Sequence, residues 1–313
     1  MSLIVRVLAA IALVLGSVTL VAPIAQAQGP GSPIPAEDPF YSWDGSLDAA
    51  PGTVLRSRPM VFSTPRLTTP ITGEQVLYRT TDQQGNGAVT AAAVLRPLIP
   101  GPPKIVSYHM AYDALGSQCD PSYTLSGGST NRIAGAEQAL IAGYLAAGYT
   151  VVMPQLFGKP GMKLASLDTA SSLVSVCVRK EFTKLATRET TPMADWLRSL
   201  ARELHGELGG PGVGALGMCF TGGFALAMMV DESVAAPVLC QPSAPFPVGK
   251  ARAADLNLSP ADLARVKERA AAGCEVLGLR FTGDKAAGTR FETLTGEIGD
   301  AFAGLQQMAP EDA

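Results

Sequence analysis

The sequence predicts an α/β protein: a mostly parallel sheet with helices on both faces and an antiparallel N-terminal edge. Three observations carry this. The front of the chain holds β-like runs with a Gly85-Asn86-Gly87 turn between two of them, as in a hairpin. From about residue 132 helix-like and strand-like segments alternate, the pattern of a parallel sheet covered by helices. Within that alternation a glycine-rich turn, Gly217 to Gly223, joins a strand to a helix.

Composition sets the outer limits. With 313 residues, 47% of them hydrophobic and 16% charged, the chain is long enough for one large core. A net charge of -3 gives no basic footprint, so nucleic acid is not an expected partner. No ligand cluster stands at metal spacing, and neither metal nor organic cofactor is expected. Arg6, the apolar run Val7–Pro23 and the small-x-small box Ala25-Gln26-Ala27 read as an export signal over residues 1–27. A retained anchor is the alternative. No later stretch is long and apolar enough to span a bilayer. The expected mature protein is therefore secreted, with no stable membrane span. Its cysteines are Cys119, Cys177, Cys219, Cys240 and Cys274, an odd number that leaves the pairing open.

Residues 28–52 read as an N-terminal arm, and 53–313 as a single domain. Strands are expected at Thr53–Phe62, Glu74–Thr80, Ala88–Leu95 and Lys104–Tyr108. A helix at Arg132–Ala147 and a strand at Tyr149–Met153 follow. Thr191-Pro192 starts a helix with cap and proline in place, and Met193, Trp196, Leu197, Leu200 and Leu204 mark its apolar face. Val213–Leu216 is a strand and Phe224–Val230 a helix. The strands Ala236–Gln241 and Glu275–Thr282 bracket a helix from Ser259-Pro260 to Gly273, and a last helix is expected from Arg290 to about Leu305.

Gly217-Met218-Cys219-Phe220-Thr221-Gly222-Gly223 carries the most information. A strand, a glycine, one residue, a nucleophile, more glycine and a helix make the pattern of a nucleophile elbow. The turn is sharp, and side chains beside it would collide with neighbouring elements. Cys219 is the candidate nucleophile, lifted to a helix N-terminus whose dipole favours thiolate. The backbone N–H of Phe220 is the candidate oxyanion donor. The plain alternative is a buried cysteine in a glycine-rich turn.

From about Tyr149 onward the chain resembles the dienelactone hydrolase family. The resemblance rests on Val151-Val152-Met153-Pro154 with Leu156-Phe157-Gly158, Cys177 to Phe182, Gly217 to Met228, Gln241-Pro242-Ser243 and Leu279 to Lys285. Up to about residue 148 it resembles the secretory lipase family instead. There the matching stretches are Asp38-Pro39-Phe40-Tyr41, Pro51 to Arg58, Leu77 to Thr81, Val106-Ser107-Tyr108 with Tyr112-Asp113, and Cys119 to Tyr123. Both resemblances imply an α/β-hydrolase fold, but the serine nucleophile and the cap that the secretory lipase resemblance implies are absent from the sequence. The dienelactone hydrolase triad implies Cys219 as nucleophile and Asp284 as acid. Thr221 departs from it, standing where many members have glycine.

Asp284 follows the strand Glu275–Thr282, at the sheet end where functional groups gather. Alone, it reads as an exposed turn aspartate. The family's histidine would come a few tens of residues later, but none lies after Cys219, and the chain reads as truncated before that loop. Of the two histidines, His205 falls near a helix C-terminus at the opposite sheet edge. His109 follows the strand Lys104–Tyr108, at the edge that carries Cys219. As base, oxyanion donor or plain loop residue, His109 stays open. The sequence thus points to a secreted hydrolase of a small ester, lactone or lipid, with Cys219, Asp284 and His109 as its candidate catalytic set. The alternative is an impaired hydrolase-fold protein that binds or does nothing.

Overall fold

The computed structural model describes residues 31–82, 85–99, 101–110, 120–128, 132–156, 190–244, 247 and 249–307. The leader, Cys119 and Cys177 lie outside them. In chain order the elements are β1 (Val54–Pro59), β2 (Ile71–Thr81), β3 (Gly87–Pro97), β4 (Ile105–His109), α1 (Arg132–Ala146) and β5 (Thr150–Pro154). After residue 190 come α2 (Pro192–Leu208), β6 (Val213–Met218), α3 (Gly222–Met228), β7 (Val234–Cys240) and α4 (Pro260–Ala271). Then follow β8 (Val276–Phe281), α5 (Arg290–Ile298) and β9 (Phe302–Gln307). The strands make a nine-stranded mixed sheet in the order β1-β2-β3-β5-β4-β6-β7-β8-β9. The chain divides into two compact units. One holds Met1–Ile105, Asp113–Leu164 and Glu203–Gly210; the other holds Val106–Tyr112, Ala165–Arg202 and Pro211–Ala313.

In the first unit β1, β2, β3 and β5 are antiparallel neighbours. The β2–β3 hairpin pairs Ile71 with Pro97 at one end and Thr81 with Gly87 at the other. At its tip the Asp82 carboxylate accepts from the Asn86 N–H at 2.8 Å, and Gly85 takes φ 88, which a side chain would strain. The expected arm is not free of the core: Phe40 and Tyr41 are buried against Leu77 and Ala91. Their polar neighbours form a directed chain. Arg58 pairs with Asp38 at 2.5 Å and donates to the Gln75 carbonyl oxygen at 2.6 Å. The Gln75 amide donates to Tyr41 and Ser122, Tyr41 lies 3.0 Å from the Ser122 hydroxyl, and that hydroxyl donates to Asp120. The chain ends at Asp120 Oδ2, which is buried without a hydrogen bond.

In the second unit β6, β7, β8 and β9 run parallel, with Met218, Cys240 and Leu279 side by side. The helix starts follow from their caps. Thr191 Oγ1 accepts from Ala194 N at 3.1 Å ahead of α2, and Ser259 Oγ accepts from Asp262 N at 3.1 Å ahead of α4. Proline takes the first helical position of both. Helix α3 is apolar all round and every residue of it is buried. Leu226, Leu239, Val266, Phe291, Leu294 and Phe302 share its core, each large side chain contributing about 1.5–3 kcal/mol of burial.

One element departs from expectation. The last helix stops at Ile298 instead of running to about Leu305, and Phe302–Gln307 is a strand. Gly299 takes φ 56 and breaks the helix. Phe302 then enters β9 level with Val276 and sets its ring edge-on to Phe291, centroids 5.0 Å apart. Gly278 makes room for both rings: a Cβ there would lie 2.6 Å from Phe302 and 2.7 Å from Phe291.

Candidate active site

The elbow forms where β6 runs out. Met218 ends the strand, Cys219–Thr221 make one tight turn and α3 begins at Gly222. Cys219 is held at φ 53, a left-handed conformation that costs a residue with a side chain about 1–3 kcal/mol and persists only where the surroundings impose it. They do so through glycines. A Cβ on Gly217 would run into the Thr221 carbonyl, one on Gly222 would stand 2.8 Å from Pro242 Cα, and one on Gly223 would meet Asn257. Thr221, the departure noted in the sequence, is fully buried and acts as a strut. Its hydroxyl accepts from Met218 N at 2.9 Å and lies 3.0 Å from the His109 carbonyl and 2.9 Å from that of Met218. Cys219 itself is exposed.

Two neighbours were invisible in the sequence. Ser243, in the turn after β7, places its hydroxyl 3.2 Å from Cys219 Sγ, and its N–H donates to the Cys219 carbonyl at 2.9 Å. In the sequence it stands after a strand, in Gln241-Pro242-Ser243, a stretch that carries part of the dienelactone hydrolase resemblance but points to no contact with Cys219. Arg290 is the second. Its buried guanidinium donates to the carbonyls of Pro242 (3.3 Å), Ala286 (3.2 Å) and Ala287 (3.0 Å). It thereby ties the Ser243 turn to the turn that carries Asp284.

Asp284 lies beyond the carboxyl end of β8, as Cys219 lies beyond that of β6, two strands away. Its Oδ1 accepts from Ala286 N at 2.9 Å and Ala287 N at 3.2 Å, so one oxygen already caps its own turn. Phe220 occupies the tight turn directly after Cys219, the place where an elbow of this kind would carry an oxyanion donor. The histidines go elsewhere. His109 is fully buried, its Nε2 lies 3.0 Å from Ser107 Oγ, and its Nδ1 has no hydrogen bond. Burial pushes its pKa down to about 3, so the imidazole is neutral. His205 Nε2 lies 3.1 Å from the Gly210 carbonyl at the end of α2. Burial also raises the other two described thiols, Cys240 to about 11 and Cys274 in the same direction. Among the described residues no group of three or more His, Cys, Asp or Glu could hold a metal, and no helix is long and apolar enough to cross a membrane.

The fold has counterparts among solved structures. Candida antarctica lipase A superposes with a TM-score of 0.57 over 90% of this chain and 81% of its own, at 16% identity. The chain has the α/β-hydrolase fold. No family model matches it. By sequence this α/β-hydrolase-fold chain is similar to the "Probable inactive lipase MT1628" of Mycobacterium tuberculosis, 38% identical over 136 residues, which are 41% of this chain and 30% of that protein. It is also similar to Lipase 4 of Candida albicans, 31% identical over 232 residues, 66% of this chain and 49% of the other. The chain thus spans about a third to a half of the length of the curated relatives it matches.

Proposed function

We propose that the chain is a secreted carboxylic-ester hydrolase of the lipase or esterase type, with Cys219 as its nucleophile. The observation that supports this most is Cys219 held at φ 53 with its side chain exposed, between β6 and α3. In this fold that turn presents the acyl-transfer nucleophile. The thiol loses its proton to solvent and the sulfur attacks the ester carbonyl. The S–C bond forms while the π pair moves to oxygen, where the Phe220 N–H is the assigned donor. Collapse expels the alkoxide, which takes a proton from water, and a second water hydrolyses the thioester. Asp284, at the same end of the sheet, is assigned the acid that would orient a base.

His109 is assigned support of the elbow through its carbonyl. A buried imidazole with a pKa near 3 is a poor acceptor for a thiol proton at neutral pH. Without a positioned base the reaction forgoes the ~10²–10⁴-fold that general base catalysis contributes, and slow turnover on activated esters is the expected behaviour. The substrate class is a small ester, a lactone or a lipid, in keeping with both family resemblances. Export rests on the apolar run closed by Ala25-Gln26-Ala27, with a mature start near Gln28.

A second reading has its own support. Both histidines are engaged away from Cys219, and the relative MT1628 is itself described as probably inactive. An impaired hydrolase fold kept for binding fits those facts. Incubation with a p-nitrophenyl ester, read by mass spectrometry and by product release, separates the two. A thioester on Cys219, absent in Cys219→Ala, supports the hydrolase; release equal in parent and Cys219→Ala sinks it.

A further inference from the structure

We infer that Ser243 is a working residue of this site, its hydroxyl the hydrogen-bond donor that holds the sulfur of Cys219 ready for attack. The inference rests on the reading of Cys219 as nucleophile and adds to it a residue that neither resemblance assigns. Ser243 touches Cys219 twice, hydroxyl to sulfur at 3.2 Å and N–H to carbonyl at 2.9 Å. Two bonds to the same residue fix the position and direction of the hydroxyl relative to the sulfur. The serine is 3% exposed, so little water competes for that bond.

The turn that brings it there is built with effort. Gln241 adopts φ 48, one of three described residues with a side chain in the left-handed region, another being Cys219. Such conformations survive only where neighbours over-determine them, and they gather at functional sites. The neighbours are identifiable: Gln241 N donates to the Leu279 carbonyl at 2.7 Å, and Arg290 holds the Pro242 carbonyl at 3.3 Å. The turn approaches so closely that Gly222 has no room for a Cβ beside Pro242. A serine needed only to fill space would require none of this. Among the described residues, the Ser243 hydroxyl is the polar side-chain group recorded within hydrogen-bond distance of the sulfur.

The chemistry follows without a further reactant. Once the thiol proton has passed to solvent, the Ser243 O–H donates to the sulfur anion; a hydrogen bond to a charged group is about twice as strong as a neutral one. The bond orients a sulfur lone pair toward the open side of the elbow. As the S–C bond forms, negative charge leaves the sulfur for the carbonyl oxygen, and the serine keeps its proton.

The test is the rate of iodoacetamide alkylation of Cys219 at neutral pH, followed by peptide mapping in the full chain. We expect Ser243→Ala to slow it about tenfold or more, the range of one hydrogen bond to a charged group, and Ser243→Thr to restore it to within a few-fold. If Ser243→Ala unfolds, shown by loss of its thermal transition, Ser243→Thr against Ser243→Val reads the hydroxyl at constant shape. Alkylation at the parent rate in the folded hydroxyl-free variant overturns the inference, as does equal slowing in Ser243→Thr. The outcome is separable from the fate of the hydrolase reading. Ester hydrolysis without a Ser243 effect removes the inference alone, and a Ser243 effect without any Cys219 thioester removes the hydrolase alone.

Discussion

Thr221 and His109 meet through a hydroxyl and a backbone carbonyl, 3.0 Å apart, and not through the imidazole. The last residue of β4 therefore braces the elbow with its main chain while its side chain turns to Ser107. Thr221→Val keeps the shape and removes the hydroxyl, stranding the buried His109 carbonyl and the Met218 N–H. A loss of about 1–3 kcal/mol in urea unfolding is expected, with Thr221→Ser close to the parent. A Thr221→Val protein as stable as the parent would show the strut to be idle.

Burial of His109 ties part of the stability to pH. Its folded pKa of about 3 lies below the unfolded value of 6.5. The unfolded chain therefore binds the extra proton between those values. The contribution of the neutral imidazole is complete above pH 6.5 and is lost progressively as pH falls toward 3. His109→Gln should flatten unfolding free energy against pH in that window, by an amount on the order of a few kcal/mol. An unchanged slope would mean the imidazole is not buried.

Asp120 has the opposite sign. Burial, the largest influence on it, raises its carboxyl from 3.8 to about 6. The folded form then holds the proton more tightly, and the stability this gives is full below 3.8 and lost as pH rises through 6. Asp120→Asn keeps acceptor and size without the charge. It should leave the protein at least as stable as the parent at pH 8 and remove the dependence between 4 and 6. Marked destabilisation at pH 8 would show that the charge itself holds Ser122 and the residues behind it.

The thiols should react in a fixed order. Cys219 is exposed, whereas burial raises Cys240 to about 11 and lifts Cys274 as well. Iodoacetamide at pH 7 should label Cys219 before either. Labelling of Cys240 first would contradict the elbow.

Much of this was readable in advance. Local chemistry marks the ends of β2, β3, α2, β6 and α4: a Gly-Asn-Gly turn, Thr-Pro and Ser-Pro starts, and glycines that have no side chain to place. The same holds for Cys219, whose strand-glycine-helix surroundings are contiguous. Three features were hidden for one reason, that their partners are far away in sequence. Ser243 reads as a loop serine until β7 sets it beside β6. Arg290 reads as a helix-start arginine until the distant carbonyls of Pro242, Arg252 and Asp255 converge on it. Phe302 reads as helical until β8 offers it a register and Gly278 a space. The sequence puts His109 in a loop just after Lys104–Tyr108; in the fold it is the last residue of β4, with its ring fully buried in the surrounding core.

The polar chain from Arg58 to Asp120 bears on the order in which the molecule assembles. Its bonds close long loops: 34 residues separate Tyr41 from Gln75, 47 separate Gln75 from Ser122, and 81 separate Tyr41 from Ser122. Each closure is opposed by chain entropy that grows with loop length, and contacts so distant form slowly. The β2–β3 hairpin, joined by a short turn, can zip first. Tyr41 then has no complete set of partners until the segment bearing Ser122 has arrived, some eighty residues later in synthesis. The apolar faces of Phe40 and Tyr41 can thus settle on Leu77 and Ala91 as soon as the hairpin forms, whereas the Tyr41 hydroxyl, made early, is fastened late.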